Sequence, residues 1–363
     1  MQYTGRGSNI TRFLIVTACF VIIIAGMRHA SSILVPFLLS LFIAKICTPF
    51  LFWMQRKRIP KVLAVLVIFV AIVGIGWLLL IFVSSSLNGF SKALPAYQKG
   101  LAAKTAGLVS WLQGHGVEVS SQIVLDYFNP QKAMNMVAAT LAGLRSVLTN
   151  FFLILLAVLF ILLEASGFPQ KLRAALDNPD ESLARISKIT ESVNRYLLMK
   201  TLFSLLTGIL IWIWLLILGV DFPLLWGLLA FLLNFVPTIG SLIAAIPAIL
   251  LALIQLGASS ALITCLGYLV VNVSIGSIIE PKLVGHGLGL STLVVFLSLI
   301  FWGWVLGPVG MLLSVPLTMT VKIALESDEE THWIGILLGS GPPGHAESVG
   351  GKNKESRILN TET

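Results

Sequence analysis

Two long apolar stretches, each broken by proline and glycine, most constrain how this chain can fold. The first broken stretch, Phe222 to Leu253, is interrupted by Pro237 and Gly240 and again by Pro247. Its arm before the break has roughly 14 residues, which as a helix covers about 21 Å, less than the ~30 Å hydrocarbon core of a membrane. A break at membrane depth frees backbone N–H and C=O groups that lipid cannot satisfy. Protein or a water-filled cavity must therefore cover it.

The second broken stretch, Ser291 to Val321, repeats this pattern. Its break residues are Gly307, Pro308, Gly310 and Pro316. Paired, interrupted apolar segments are the best sequence pointer to the substrate site of a transporter. We therefore predict two re-entrant helical hairpins, at residues 222–254 and 291–321.

The composition is that of a membrane protein. Of the 363 residues, 57% are hydrophobic and 11% are charged, whereas soluble domains carry about 25% charged residues. The three cysteines lie in apolar runs without metal-ligand spacing, so we predict no disulfide framework, no metal site and no cofactor. The net charge of +8 comes from basic residues beside membrane segments. This distribution indicates orientation in a membrane rather than a nucleic-acid partner.

The apolar runs predict an all-α polytopic membrane protein with about six full transmembrane helices besides the two hairpins. The predicted spans are Phe13 to Gly26, Ser31 to Trp53, Val62 to Ser84, the end of a run from Pro130 to Leu163, Tyr196 to Val220, and Ala258 to Ile278. Four positive charges between Arg56 and Lys61 mark the cytoplasmic side. With that orientation both termini are cytoplasmic. If each hairpin arm crossed instead, the chain would have about ten spans, but the short arms favour hairpins.

Four regions follow from this topology. Residues 1–85 form three transmembrane helices, and residues 86–146 form a small extracytoplasmic helical insert. Residues 147–325 form the transport core. Residues 326–363 form a cytoplasmic tail predicted to be disordered, because Gly, Ser, Pro and mixed charge cannot bury enough surface to fold. The two hairpins start from opposite sides and meet tip to tip near the midplane, an inverted repeat that supports alternating access.

Polar residues surround the break of the first broken stretch. Pro237 removes a backbone donor, and Gly240 permits a sharp turn. Asn234, Thr238 and Ser241 are candidate substrate-binding side chains there. The N-terminus of the second half-helix offers N–H groups to an electronegative ligand atom, which suits a small hydroxylated or anionic solute.

A fourth candidate for substrate binding is Asn272, in an otherwise apolar segment. The alternative interpretation of the first break is a helix kink that neighbouring protein satisfies completely. The duplicated break favours the functional interpretation.

The second break has no polar side chain of its own. Gly307, Pro308 and Gly310 would contribute backbone and shape. Trp302 and Trp304 are either walls of the site or interfacial anchors and core residues.

Two carboxylates lie near the hairpins. Asp221 and Glu280 could carry a proton or bind a cation, since acidic residues in membranes tend to be functional. Both fall at segment ends where water is available, and Lys282 follows Glu280 closely. Solvated or paired structural carboxylates are therefore the alternative.

The break regions carry a family resemblance. The sequences concerned are WGLLAFLLNFVPTIGSLIAAIP from Trp226, IIEPKLVGHGLGLSTLVVFLSLIFWGWVLGPVGMLLSVPLT from Ile278, and the earlier ILVPFLLSLFIAKICTPF and RIPKVLAVL. They resemble the autoinducer-2 exporter family, also called the PerM-like permeases, over about residues 10 to 326. The resemblance implies export across the bacterial inner membrane of autoinducer-2, a small polyhydroxylated quorum-sensing signal, and an influence on biofilm formation. It also implies a homo-oligomer, with a pentamer as one candidate.

Enzyme signatures are absent from the sequence. It contains no H-E-x-x-H, no G-x-S-x-G and no phosphate-cradling G-x-x-x-x-G-K-[ST]. We therefore predict a secondary exporter embedded in lipid, neither an enzyme nor an ATP-driven pump. The alternatives are a sodium/proton antiporter that uses Asp221 and Glu280, and a non-transporting scaffold that acts through the insert or the tail.

Overall fold

A computed structural model describes residues 5–115, 135, 137–138, 150–165, 167–175, 179–237, 239–284, 289–326 and 331–339. All regular structure within these ranges is helical. The helices are α1 (Gly5–His29), α2 (Ser31–Arg56), α3 (Lys61–Gly114), α4 (Phe151–Ala165), α5 (Phe168–Ala175), α6 (Pro179–Leu218), α7 (Pro223–Leu233), α8 (Ile239–Leu256), α9 (Ala258–Asn272), a π-helix (Val273–Ile279), α10 (Glu280–Val284), α11 (Thr292–Glu326) and α12 (His332–Leu337).

Six helical segments in the described part of the chain are long and apolar enough to cross a membrane. They are Ser31–Arg56, Lys61–Trp111, Thr190–Leu218, Ile239–Leu256, Ala258–Ile279 and Thr292–Glu326. The predicted all-α membrane fold with about six such helices is therefore confirmed. Four of the six coincide with predicted spans, whereas α8 and α11 belong to the broken stretches. Two other predicted spans are shorter apolar helices, Leu14–His29 and Phe151–Ala165.

The helix α3 continues far beyond the span predicted from Val62 to Ser84. It has 54 residues, about 81 Å at the helical rise. It therefore runs without interruption across residue 86, where we predicted the insert to begin. Much of the rest of that insert, including residues 116–134 and 139–146, lies outside the described residues.

Helices α6 and α7 cross with their backbones in close contact at Gly208 and Gly227. A Cβ atom added to Gly208 would lie 2.8 Å from the Gly227 carbonyl oxygen, and one added to Gly227 would lie 2.7 Å from the Cβ of Trp212. Small residues allow this approach, which is typical of helix packing in membranes. The crossing holds the first arm of the first broken stretch against α6.

The first broken stretch contains one real interruption. Helix α7 ends at Leu233 and α8 begins at Ile239. A Cβ on Gly240 would collide with the carbonyl oxygen of Leu233, so the reversal requires glycine. Helix α8 continues through Pro247, because a membrane helix can satisfy the acceptor freed by a proline locally. The second interruption predicted at Pro247 is therefore not a break.

The second broken stretch also reverses its direction, at Gly307. This residue has φ 70° and ψ −154° inside α11. The Nε1 of Trp302 donates a hydrogen bond of 3.0 Å to Oγ1 of Thr318, although 16 residues of straight helix would span about 24 Å. Residues 292–306 and 308–326 are therefore two arms side by side, so this 35-residue segment is not one straight span. The arm after the break continues through Pro316 as a helix.

Part of the predicted disordered tail is ordered. Helix α12 packs against the end of α11, where Oγ1 of Thr331 donates to the carbonyl oxygen of Leu325. The backbone N–H of Ser291 donates to the Leu338 carbonyl oxygen at 3.1 Å. Leu338 also packs on a buried cluster with Leu290. The prediction from composition did not include this apolar contact of Leu338. Residues 340–363 lie outside the described residues.

Candidate functional site

The first break carries a polar contact to helix α6. Asn234 follows the last residue of α7, and its Nδ2 donates a hydrogen bond of 3.0 Å to Oγ of Ser204. Ser204 is fully buried on α6. Beside it, the ring of Phe235 packs edge-on against Phe42 of α2, with centroids 5.5 Å apart. The amide of Asn234 is thereby fixed between the break and α6.

The structure describes two of the three other predicted binding residues. Ser241 is half-buried in the first turn of α8, next to the break. Asn272 is the last residue of α9 and is also half-buried. In the described structure Asn234 bonds to Ser204 and not to Asn272. Thr238 lies outside the described residues.

A largely buried ion pair joins the helix of Ser204 to α10. The Nζ of Lys200 is 2.8 Å from Oε1 and 3.0 Å from Oε2 of Glu280. The two side chains are 9% and 18% exposed. The Glu280 carboxylate is therefore paired within the chain. Its partner is Lys200 rather than the exposed Lys282.

Lys200 and Ser204 belong to a row of buried polar side chains on one face of α6, which we call the polar row. Its members are Tyr196, Lys200, Ser204 and Thr207. Spacings of four, four and three residues place side chains on one helix face. Within the polar row, Lys200 bonds to Glu280 and Ser204 bonds to Asn234, so the row connects the start of α10 to the first break.

Sequence analysis did not select Lys200, Ser204 or Thr207 as site residues. The available signal was their helical spacing within an apolar segment. The π-helix Val273–Ile279 was also not predicted. Such segments are frequent at functional sites, and this one lies between Asn272 and Glu280.

Asp221 lies away from the polar row. Its Oδ2 accepts hydrogen bonds from the hydroxyl of Tyr97, at 2.8 Å, and from Nε2 of Gln255. Asp221 precedes Asn234 by 13 residues, about 20 Å along a helix. The two predicted ion-coupling carboxylates therefore share no partner, since Glu280 bonds to Lys200.

The two tryptophans near the second break have different environments. Trp302 is buried and hydrogen-bonded to Thr318, so it is a core residue. Trp304 is 56% exposed, and the guanidinium of Arg28 lies 4.7 Å from its ring centroid. This cation–π contact joins the first arm of the second broken stretch, residues 292–306, to α1.

The glycines of the two breaks make equivalent contacts. A Cβ on Gly310 would collide with the carbonyl oxygen of Trp302, just as one on Gly240 would collide with that of Leu233. In each stretch, a glycine after the break thus packs on a carbonyl near the end of the arm before it. Pro308 follows the left-handed Gly307 directly, where its fixed φ suits the start of a helix.

The fold defines a multi-pass helical membrane protein with two broken apolar stretches and a buried polar row. The model of the family described as "AI-2E family transporter" matches residues 14–328, so the chain belongs to this family of transporters. The resemblance predicted from the break sequences is thereby confirmed.

Three relatives show how much of the chain this similarity covers. The chain is 46% identical over 330 residues to the AI-2 transport protein TqsA of Escherichia coli (strain K12), covering 91% of this chain and 96% of the relative. It is 41% identical over 337 residues to a protein of Haemophilus influenzae, covering 91% and 97%. It is 38% identical over 330 residues to YhhT of Escherichia coli (strain K12), covering 91% and 95%.

Proposed function

We propose that the protein is a secondary exporter of autoinducer-2, which it carries across the bacterial inner membrane by alternating access. The observation that carries this proposal is the hydrogen bond between Asn234 at the first break and Ser204 of the polar row. The name of TqsA, an AI-2 transport protein, supports the substrate.

The Asn234 contact suits a polyol chemically. An amide offers two donors and an acceptor, and a hydroxyl both donates and accepts. A solute hydroxyl can therefore insert between Asn234 and Ser204 and replace their hydrogen bond with one to each. Because the Asn234 amide and the Ser204 hydroxyl each keep a hydrogen-bond partner, insertion leaves few buried polar atoms unpaired and therefore carries little energetic penalty. We propose that Thr238, Ser241 and Asn272 complete the set of hydrogen-bonding side chains.

The two broken stretches act in this proposal as re-entrant hairpins of opposite orientation. The matching contacts of Gly240 and Gly310 support two equivalent reversals. The side chain of Phe42 lies between the stretches: it contacts Phe235 and also packs on the cluster that contains Val315. Movement of the two hairpin tips against each other at this contact would expose the Asn234 site to each side in turn.

The proposed placement in the membrane follows from the basic residues between Arg56 and Lys61, which we assign to the cytoplasm. Both termini are then cytoplasmic and the distal part of α3 is extracytoplasmic. We further propose that the protein is a homo-oligomer, with a pentamer as one candidate. Its effect on quorum sensing and biofilm formation would follow from the exported signal.

The contacts of the two carboxylates do not favour a sodium/proton antiporter. The carboxylate of Glu280 is neutralised by the Lys200 ammonium. Asp221 lies roughly 20 Å along the helix from the first break and is bonded to Tyr97 and Gln255. Neither is an open carboxylate in the polar row.

Flux of labelled autoinducer-2 into liposomes that contain the purified protein tests the proposal. We expect Asn234→Ala and Ser204→Ala to lower the initial rate by at least roughly fivefold, the effect of about 1 kcal/mol per hydrogen bond. Thr201→Ala is the matched control, since this hydroxyl on α6 bonds to the carbonyl oxygen of Leu197 in its own helix. Absence of flux through the wild-type protein would overturn the exporter proposal. Wild-type rates in both site variants would overturn the site alone.

A further inference from the structure

Three elements meet in a compact set of hydrogen bonds at the base of the first broken stretch. Tyr97 lies on the distal part of α3, Asp221 precedes α7, and Gln255 is near the end of α8. The Tyr97 hydroxyl and the Gln255 amide both donate to Oδ2 of Asp221. The N–H of Asp221 donates to Oε1 of Gln255 at 3.1 Å, and Nε2 of Gln255 lies 3.3 Å from the Tyr97 hydroxyl. The base of both arms is thus bonded to α3.

The residue after Asp221 has a strained backbone. Phe222 has φ 57° and ψ 44°, a left-handed conformation that a bulky side chain rarely adopts. Such strain persists only where the surroundings fix it, and it is frequent at functional positions. The carbonyl oxygen of Phe222 accepts the first hydrogen bond of α7, from the N–H of Leu225 at 3.0 Å. The direction of α7 therefore depends on the conformation of Phe222.

Packing from α3 holds this strained residue. The ring of Phe90 contacts those of Phe222, Trp226 and Tyr97, with centroids 6.3, 6.0 and 5.9 Å apart. The Nε1 of Trp226 donates to the Asp221 carbonyl oxygen at 2.8 Å. The distal part of α3 therefore supplies both a hydrogen bond and an aromatic surface to the point where α7 begins.

We propose that Tyr97, Asp221 and Gln255 form a latch that fixes the pivot of the first broken stretch, and that Tyr97 is a positioning residue for transport. The latch holds the base of both arms, so that motion is concentrated at the break, roughly 20 Å away along α7. Its role in transport rests on the proposed function. Loss of the latch lowers the maximal rate and leaves the substrate concentration for half-maximal rate unchanged, since in the described part of the chain no latch residue bonds to Asn234 or Ser204.

Two variants and one matched control test the latch. Tyr97→Phe removes the hydroxyl and keeps the ring, and Gln255→Ala removes the amide. Tyr268→Phe is the control, because Tyr268 is equally buried and its hydroxyl makes no hydrogen bond with the described residues. Hydrogen exchange is measured at residues 221–226, together with autoinducer-2 flux per folded transporter. We expect both latch variants to exchange roughly tenfold faster there and to lose roughly tenfold in maximal rate, as is typical for a lost hydrogen bond to a charged group.

The two measurements separate the latch from the exporter proposal. Unchanged exchange at residues 221–226 in Tyr97→Phe, or an equal change in Tyr268→Phe, would overturn the latch whether or not the protein carries autoinducer-2. Faster exchange with an unchanged maximal rate, or a raised half-maximal concentration, would overturn the positioning role. If the wild-type protein carries no autoinducer-2, the exporter proposal fails, and the exchange experiment still decides the existence of the latch.

Discussion

Lys200 and Glu280 form a largely buried ion pair between residues 80 positions apart in the sequence. The ammonium lies within 3.0 Å of both carboxylate oxygens, and the pair joins α6 to the start of α10. Because the carboxylate is compensated by a side chain of this chain, Glu280 has a structural partner that any role in transport must first displace.

This pair predicts a specific pattern of stability. Lys200→Met leaves the Glu280 carboxylate buried without a partner, and we expect a loss of about 3–5 kcal/mol in the free energy of unfolding. The double variant Lys200→Met/Glu280→Gln should recover most of this loss, because no uncompensated charge remains. Denaturant unfolding in detergent is measured for the wild type, for Lys200→Met and Glu280→Gln alone, and for the double variant. Additive effects of the two single changes would contradict the pairing.

The reversal at Gly307 predicts a disulfide. A Cβ on Gly303 would lie 2.7 Å from Cγ of Met311, so cysteines at both positions have Cβ atoms within about 4 Å, inside the range for a disulfide. In a variant without the three native cysteines, Gly303→Cys/Met311→Cys should cross-link on oxidation. The control pair is Leu205→Cys/Ile213→Cys on α6, eight residues apart in continuous helix and about 12 Å distant. Mass spectrometry detects the bond, and its absence in the first pair would rule out the reversal.

The glycines that follow the two breaks predict equal sensitivity to a methyl group. Gly240→Ala and Gly310→Ala each place a Cβ against a backbone carbonyl oxygen, and overpacking of this kind costs about 1–3 kcal/mol or more. We expect lower thermal stability in both. Gly74→Ala is the control, since nothing lies within 4 Å of its added Cβ. Stability of Gly240→Ala or Gly310→Ala equal to that of Gly74→Ala would show that the tight contact is absent.

The contact between α12 and the second broken stretch predicts the effect of truncation. Removal of residues 340–363 keeps the contacts of residues 331–339 with α11, so we expect a smaller loss of thermal stability than on removal of residues 331–363. Removal of residues 331–363 exposes Leu290 and frees the N–H of Ser291, which bonds to Leu338. We expect a lower melting temperature and faster hydrogen exchange at Ser291. Equal behaviour of the two truncations would contradict the contact.

The break positions could be predicted because they depend on local chemistry. Proline removes a donor and glycine permits a reversal wherever they interrupt an apolar run, so Pro237, Gly240 and Gly307 were found. The same rule also predicted helix breaks at Pro247 and Pro316, but both prolines lie within helices. A proline breaks a helix or is accommodated in it according to whether neighbouring groups satisfy the carbonyl that it frees. A local sequence pattern does not show which groups will be neighbours in the fold.

The sequence by itself determined the helical membrane fold, the two broken stretches and the polar break at Asn234, since hydropathy and backbone restriction are properties of short segments. Only the tertiary structure decided that Glu280 pairs with Lys200 rather than Lys282, that Asn234 bonds to Ser204, and that Tyr97 reaches Asp221. Each of these contacts joins residues at least 30 positions apart. Their formation depends on how helices pack, through close approaches such as Gly208 against Gly227, and helix packing is set by the whole chain rather than by any one segment.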